Sequence, residues 1–307
     1  MKVTWGLENA TCSGKTITTL GSYDGVHRGH QKILQRLQEH KRELGFDRSV
    51  LLTFHPHPQE VLRRNNTNVE LLTTIDERIA LIEQQGIDET IVIRFSKEFA
   101  QTSYIDFFQM TLVEKLGTKA MVVGFNHAFG KDREGDALHL KQLAPKLGVT
   151  IEEVPPVVVD EVSISSTKIR NALQSGDVAN ANTWLGRPYA FSGKVVHGEG
   201  LGGELGYPTA NLELPKSKLV PADGVYAAKI YRNSSVYTAA LSIGTKPTVH
   251  EGGPRTIEAL MLDFTGQIYD ETLTVECLHY LHPQKKFASL AELQLAIASD
   301  VEQIRSL

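Results

Sequence analysis

The first residues able to do chemistry lie in GSYDGVHRGHQKIL, positions 21–34, between a strand-like run and a helix-like run. Gly21, Gly25 and Gly29 permit tight turns and close backbone approach. His27 and His30 stand three apart, about one helical turn, so both imidazoles can face one object. Where a parallel strand ends beside a helix start, the favoured object is an anion. The segment is neither GxxxxGK[ST] nor a dinucleotide fingerprint. A histidine pair that orients and screens phosphates suits nucleotidyl transfer. The other reading of His27 and His30 is helix capping, and the pattern leaves both open.

Three further segments end strand-like runs in the same half. HPHP at 55–58 has prolines that stiffen a loop around His57, which is either structural or directed into a cleft. GFNHAFGKDREG at 124–135 mixes polar and aromatic residues suited to a planar ring, with Asn126 as the directional hydrogen-bonding group. ISSTKIR at 164–170 sets Ser165, Ser166 and Thr167 before a helix, either as caps or as phosphate contacts, with Arg170 one turn inside.

A second constellation lies in HGEGLGGELGYPTANLELP, 197–215. Gly198, Gly200, Gly202, Gly203 and Gly206 let a backbone curl around a bulky anion and offer N–H donors. Thr209 and Asn211 are separated by one residue, so in an extended segment both face one way. Their hydroxyl and amide oxygens suit Mg²⁺ beside ATP; a side-chain-capped glycine-rich hairpin is the alternative. Glu258 lies among leucines in TIEALMLDF. It is either a solvated edge carboxylate or the base that phosphate transfer to an alcohol needs.

These segments need two scaffolds to position them. TITTL (16–20), SVLLTF (49–54), ETIVIRF (89–95), KAMVVGF (119–125) and TIEEV (150–154) alternate with helical stretches near 31–44, 75–85, 103–116 and 137–147. Repeated βα units predict an α/β parallel sheet covered on both faces. Two short helices are expected at 167–174 and 177–185. From Tyr189 to about Tyr280, closely spaced strands with glycine-rich turns predict a small antiparallel barrel. Leu290, Leu293, Ile297, Val301 and Ile304 then form the apolar stripe of a terminal helix, with Ser289 as its N-cap. The expected division is 1–186 and 187–307, at LGRPY.

Composition sets outer bounds. The chain has 307 residues, and 32 Lys+Arg against 36 Asp+Glu leave a charge of −4, so no basic footprint points to nucleic acid or an anionic membrane. Two cysteines, Cys12 and Cys277, make no disulfide framework and fit a reducing, cytoplasmic setting. No apolar run reaches the ~18–20 residues of a membrane span, and the N-terminus does not read as a signal peptide.

SYDGVHRGH, HPHP, VVGFNHAFGKDREGD and SISSTKIR, with GYPTAN, PADGVYAAKI, ALSIGTKPTV, IEALMLDF and KKFASLAEL, resemble the bacterial bifunctional riboflavin kinase/FAD synthetase family over residues 15–305. The resemblance implies a Rossmann-like nucleotidyltransferase domain, then a six-stranded barrel with a terminal helix. It implies riboflavin phosphorylation to FMN and adenylyl transfer from ATP to FMN, giving FAD and pyrophosphate, with Mg²⁺ and no covalent intermediate. By motif, His27 and His30 contact ATP phosphates, and Gly21, Tyr23 and Asp24 belong to the same nucleotide loop. Ser165, Thr167 and Arg170 form a phosphate site, and Asn126 and His57 place the nucleotide. Thr209 and Asn211 hold Mg²⁺–ATP within the loop of Gly198, Gly200 and Gly206, and Glu258 is the base for the ribityl 5′-hydroxyl. Small-molecule substrates and a monomer or weak homo-oligomer are expected.

The chain departs from family patterns at several points. Leu201 and Gly203 stand where GRGRxLGFPTAN carries arginines. His282 and Gln284 stand at the Arg and Glu of LRxExKF, Asn126 at the Asp of FDF-type relatives, and Ala128 where many have Arg. A monofunctional adenylyltransferase with an inactive barrel and a flavin-sensing binding protein are the competing readings.

Overall fold

The computed structural model describes residues 1–11, 14–62, 69–198, 201–245 and 255–307, Leu201 and Glu204 by their backbone alone. Gly200 and Cys12 lie outside the described residues. The chain forms two compact units, Met1–Ser166 and Thr167–Leu307.

The first unit is built on six parallel strands: β1 Lys2–Trp5, β2 Thr16–Leu20, β3 Arg48–His55, β4 Glu89–Arg94, β5 Thr118–Gly124 and β6 Thr150–Val154. Their order is β1-β4-β3-β2-β5-β6. Side chains alternate across the sheet, so Val50 and Leu52 enter one core with Phe107 and Phe108. Leu51 enters the other, with Leu34 and Leu37 of helix α1, Arg28–Glu43, and Ile82 of α2, Ile75–Glu83. Burial on both faces explains why these strands read as continuous apolar runs. Chain order reverses at β2, which pairs with β3 on one side and β5 on the other. The carboxyl ends of β2 and β5 therefore form a topological switch point, where such sheets bind ligands.

Two local features depart from the sequence reading. β1 pairs with β4 as an added edge strand, although its four residues carry little periodicity. The expected helix at 103–116 has one short turn, Tyr104–Asp106, then winds as a π-helix over Phe107–Lys115. An i to i+5 winding aligns Phe107 with Leu112, and both are buried.

The second unit takes in α3, Ser166–Gln174, from its second residue onward, and α4, Val178–Leu185. Its closed antiparallel barrel comprises β7 Tyr189–Val196, β8 Ala210–Glu213, β9 Gly224–Arg232, β10 Ser235–Thr245, β11 Arg255–Met261 and β12 Thr272–His282. Phe191, Tyr226, Ile230, Leu241, Leu273 and Val275 are fully enclosed, and alternation along each strand fills the interior. Helix α5, Leu290–Ser306, is capped by Ser289, whose hydroxyl accepts the Glu292 N–H.

The structural division after Ser166 differs from the expected one at 186/187. Asn182 explains why the two helices group with the barrel. Its Nδ2 donates to the Cys277 carbonyl at 2.9 Å and its Oδ1 accepts the Tyr189 N–H at 2.7 Å. The Leu173 carbonyl also accepts the Ala222 N–H at 2.9 Å. Such bonds join positions too far apart in sequence for local pattern to reveal.

Candidate functional sites

At the switch point, the loop after β2 is held in an unusual backbone path. Tyr23 and Val26 have φ of 50° and 38°, a region costly for a β-branched residue. Strain of this kind, of order 1–3 kcal/mol, persists where the surroundings impose it, and it collects at functional sites. Here Asp24 imposes it: its buried carboxylate accepts the Leu72 N–H at 3.0 Å, the Thr73 N–H at 2.9 Å and the Thr73 hydroxyl at 3.1 Å. The Ser166 hydroxyl donates to the Asp24 carbonyl at 2.9 Å. Asp24 thus anchors the loop, with its carboxylate committed to protein donors.

His27 caps α1, its Nδ1 accepting the His30 N–H at 3.3 Å. The two rings stack with centroids 3.7 Å apart and 15° between planes. Both expected readings are therefore compatible: capping fixes one ring, and stacking fixes the other beside it. A Cβ on Gly29 would sit 3.0 Å from the His27 ring, so glycine makes room for the cap. Tyr23 packs 4.9 Å from His30 and shares a 2.5 Å hydrogen bond with Thr19. Burial drives its phenol pKa well above the ordinary value and keeps it neutral. Gly21 donates its N–H to the Leu52 carbonyl, tying the loop start to β3.

His57 is buried and caps the short helix Pro58–Val61, its Nδ1 accepting the Gln59 N–H at 3.2 Å. Asn126 is exposed, and neighbouring Phe125 is 44% exposed, so an aromatic face and an amide stand open after β5. His127 packs 5.5 Å from Phe129, and burial pulls its imidazole down to about 4, with Arg133 acting in the same direction. It is neutral at pH 7. Ser165 lies in the first unit, while Thr167 and Arg170 lie on α3 in the second.

In the barrel, Thr209, Asn211 and Glu258 come together. Asn211 and Glu258 are direct partners across β8 and β11, and the Thr209 hydroxyl donates to Glu258 Oε2 at 3.0 Å. A Cβ on Gly198 would come 2.1 Å from Asn211 Nδ2, so only glycine admits that amide. These residues line a cavity of about 450 Å³ that also includes Tyr207, Ser242 and His282. Gly206 turns the loop with φ 81°. Glu258 is half-buried within a strand of buried residues rather than on a solvated edge. Thr209 and Asn211 supply the hard oxygen donors that fit Mg²⁺.

Comparison with known proteins settles the family. Residues 9–168 match the FAD synthetase family model, and residues 185–307 match the riboflavin kinase model. The chain belongs to the bifunctional riboflavin kinase/FMN adenylyltransferase family. A relative of that name from Pseudomonas fluorescens is 36% identical over 100% of this chain and 98% of its own. Another, from Bacillus subtilis, is 36% identical over 94% and 91%. A solved structure of a macrolide-efflux protein from Streptococcus pneumoniae is 30% identical, covers 100% of both chains and has a TM-score of 0.91. Among the described residues no helix is long and apolar enough to cross a membrane. Residues 169–184, which include α4 as far as Trp184, fall between the two family models.

Sequence reasoning missed Thr73 and Arg78. Arg78 is buried and donates to the Phe54 carbonyl at 3.1 Å and the Thr53 hydroxyl at 3.3 Å, bracing the end of β3 before HPHP. The capping box of α2, Thr74 with Glu77, was the available signal that this segment is fixed. Nothing local marks an arginine as buried.

Proposed function

We propose that the barrel unit converts riboflavin to FMN and that the sheet unit converts FMN to FAD, as the two matched domains imply. The grouping of Thr209, Asn211 and Glu258 in one cavity carries this reading. Glu258 takes the proton of the ribityl 5′-hydroxyl, the alkoxide oxygen attacks the γ-phosphorus of ATP, and ADP leaves. The Thr209 hydroxyl spends its hydrogen on Glu258, which leaves its lone pairs for a cation. Mg²⁺ bound to Thr209 and Asn211 would screen the triphosphate charge.

In the adenylyl transfer, the FMN phosphate attacks the α-phosphorus of ATP and pyrophosphate leaves. His27 and His30 orient the phosphates, with Gly21, Tyr23 and Asp24 shaping the loop beneath them. Asn126 and His57 place the nucleotide. The phosphate roles of Ser165, Thr167 and Arg170 rest on the ISSTKIR motif. The proposed setting is the cytoplasm, with small molecules as partners, no nucleic acid, and a monomer or weak homo-oligomer.

A time course with riboflavin, ATP and Mg²⁺, resolved by chromatography, tests this. FMN should appear first and FAD after it. FAD from supplied FMN with none from riboflavin would leave a monofunctional adenylyltransferase, and no product at all would leave a flavin-binding protein.

A further inference from the structure

The barrel cavity has a wall that phosphoryl transfer does not use, made of His282, Lys285 and the face of α5 carrying Leu293, Ile297 and Asp300. Both ring nitrogens of His282 end on oxygen. Nδ1 lies 2.8 Å from the Pro283 carbonyl oxygen and Nε2 lies 2.9 Å from Asp300 Oδ1. Carbonyl and carboxylate oxygens only accept, so the two contacts together require hydrogen on both nitrogens and a charged imidazolium. A neutral ring carries one N–H, so it gives up one of these contacts, and in either tautomer the ion pair with Asp300 is gone. The Pro283 contact joins neighbours in sequence, whereas the Asp300 contact joins the end of β12 to α5. The pair is largely enclosed, with side-chain exposures of 21% and 15%.

Helix α5 has few other ties. Ile304 is its one buried residue among those described, while Ile297 and Val301 are partly buried against Ala227, Leu260 and Leu262. Gln294 donates to the Leu205 carbonyl at 3.1 Å in an exposed position. Arg305 meets Asp263 at the far end, where exposures of 52% and 72% make the pair weak. A partly buried, charge-assisted bond is worth more than either.

We propose that protonated His282 is a latch that fixes α5 as a wall of the flavin cavity, so that the kinase binds riboflavin more weakly once the ring loses its proton. This rests on the kinase reading of the cavity. From α5 the imidazolium faces Asp300, and the cavity adds Glu258 from β11 and Lys285 beyond β12. Asp300 and Glu258 are thus the carboxylates, and Lys285 the cation, that share the cavity with the ring. Val225, its partner on β9, carries no charge.

The test is steady-state riboflavin phosphorylation by the full chain from about pH 6 to pH 8.5, spanning the region in which imidazoles titrate. The KM for riboflavin should rise about tenfold with pH, the size of one charge-assisted bond lost, while kcat and the KM for ATP stay level. His282→Arg should keep the low KM throughout, because a guanidinium stays charged. Asp300→Asn should show the high KM already at pH 6. Nitrogen NMR of histidine-labelled chain, with the signal assigned by its absence in His282→Arg, should find both ring nitrogens protonated at pH 6. A flat KM, an Asp300→Asn variant that behaves like the native chain, or a neutral ring at pH 6 would each overturn the latch. A chain that phosphorylates no riboflavin refutes the kinase reading, and the NMR result still judges the latch.

Discussion

Thr209 and Glu258 are 49 residues apart in sequence, and the hydroxyl of one donates to the carboxylate of the other at 3.0 Å. The bond settles where one proton sits. It directs the Thr209 lone pairs away from Glu258, and it holds Glu258 in a fixed orientation on β11.

Glu258→Gln keeps the shape of that side chain and removes the base. FMN formation from riboflavin should fall by ~10²-fold or more, while FAD formation from supplied FMN stays at the native rate. The two steps are assayed separately on one preparation. Undiminished phosphorylation by this variant would remove Glu258 from the role.

His27 combines a cap and a ring in one residue, and two variants separate them. His27→Ala should lose the cap, ~1 kcal/mol of stability, together with FAD formation. His27→Asn should retain the melting temperature, because asparagine caps well, yet lose FAD formation by ~10²-fold. Riboflavin phosphorylation should survive in both. Native FAD formation by His27→Asn would mean that capping is the whole role of this residue.

Much of this site was legible because the glycines, prolines and histidines sit where backbone geometry demands particular residue types. GSYDGVHRGH reads as a strand-to-helix turn because Gly29 must admit the His27 ring. PTAN reads as two oxygen donors on one face because alternation is local, with Asn211 on β8 and Thr209 just before it. Contacts that depend on the fold closing were not legible. Asp24 is expected in the nucleotide loop, and the contacts by which its carboxylate pins that loop to Leu72 and Thr73 lie 48 and 49 residues away in sequence. Asn182 ties α4 to β12, so by contacts this helix groups with the barrel.

His127 gives the first unit a stability that depends on pH. Its imidazole is pulled from the ordinary 6.5 to about 4 by burial, so over that window the unfolded chain binds the extra proton and the folded one does not. Stability therefore rises with pH through the window and is lost as pH falls from about 6.5 toward 4. In urea, the unfolding midpoint of the native chain should drop more between pH 7 and pH 5 than that of His127→Phe. Equal drops would contradict the assignment.

The placement of α3 and α4 predicts how the barrel can be cut free. A fragment beginning at Thr167 should fold and make FMN but no FAD. One beginning at Arg187 loses the Asn182 bonds to the Cys277 carbonyl and the Tyr189 N–H and should melt at a lower temperature. Thermal melts of the two fragments check this, and equal melting temperatures would show that the helices contribute nothing to the barrel.

The most direct test of two independent sites on one chain is complementation between Glu258→Gln and His30→Ala. Given riboflavin, ATP and Mg²⁺, Glu258→Gln alone should make neither flavin nucleotide, and His30→Ala alone should stop at FMN. Mixed together, they should make FAD, because the FMN released by one variant is the substrate of the other. A mixture that stops at FMN, or a His30→Ala chain that makes FAD unaided, would contradict the account.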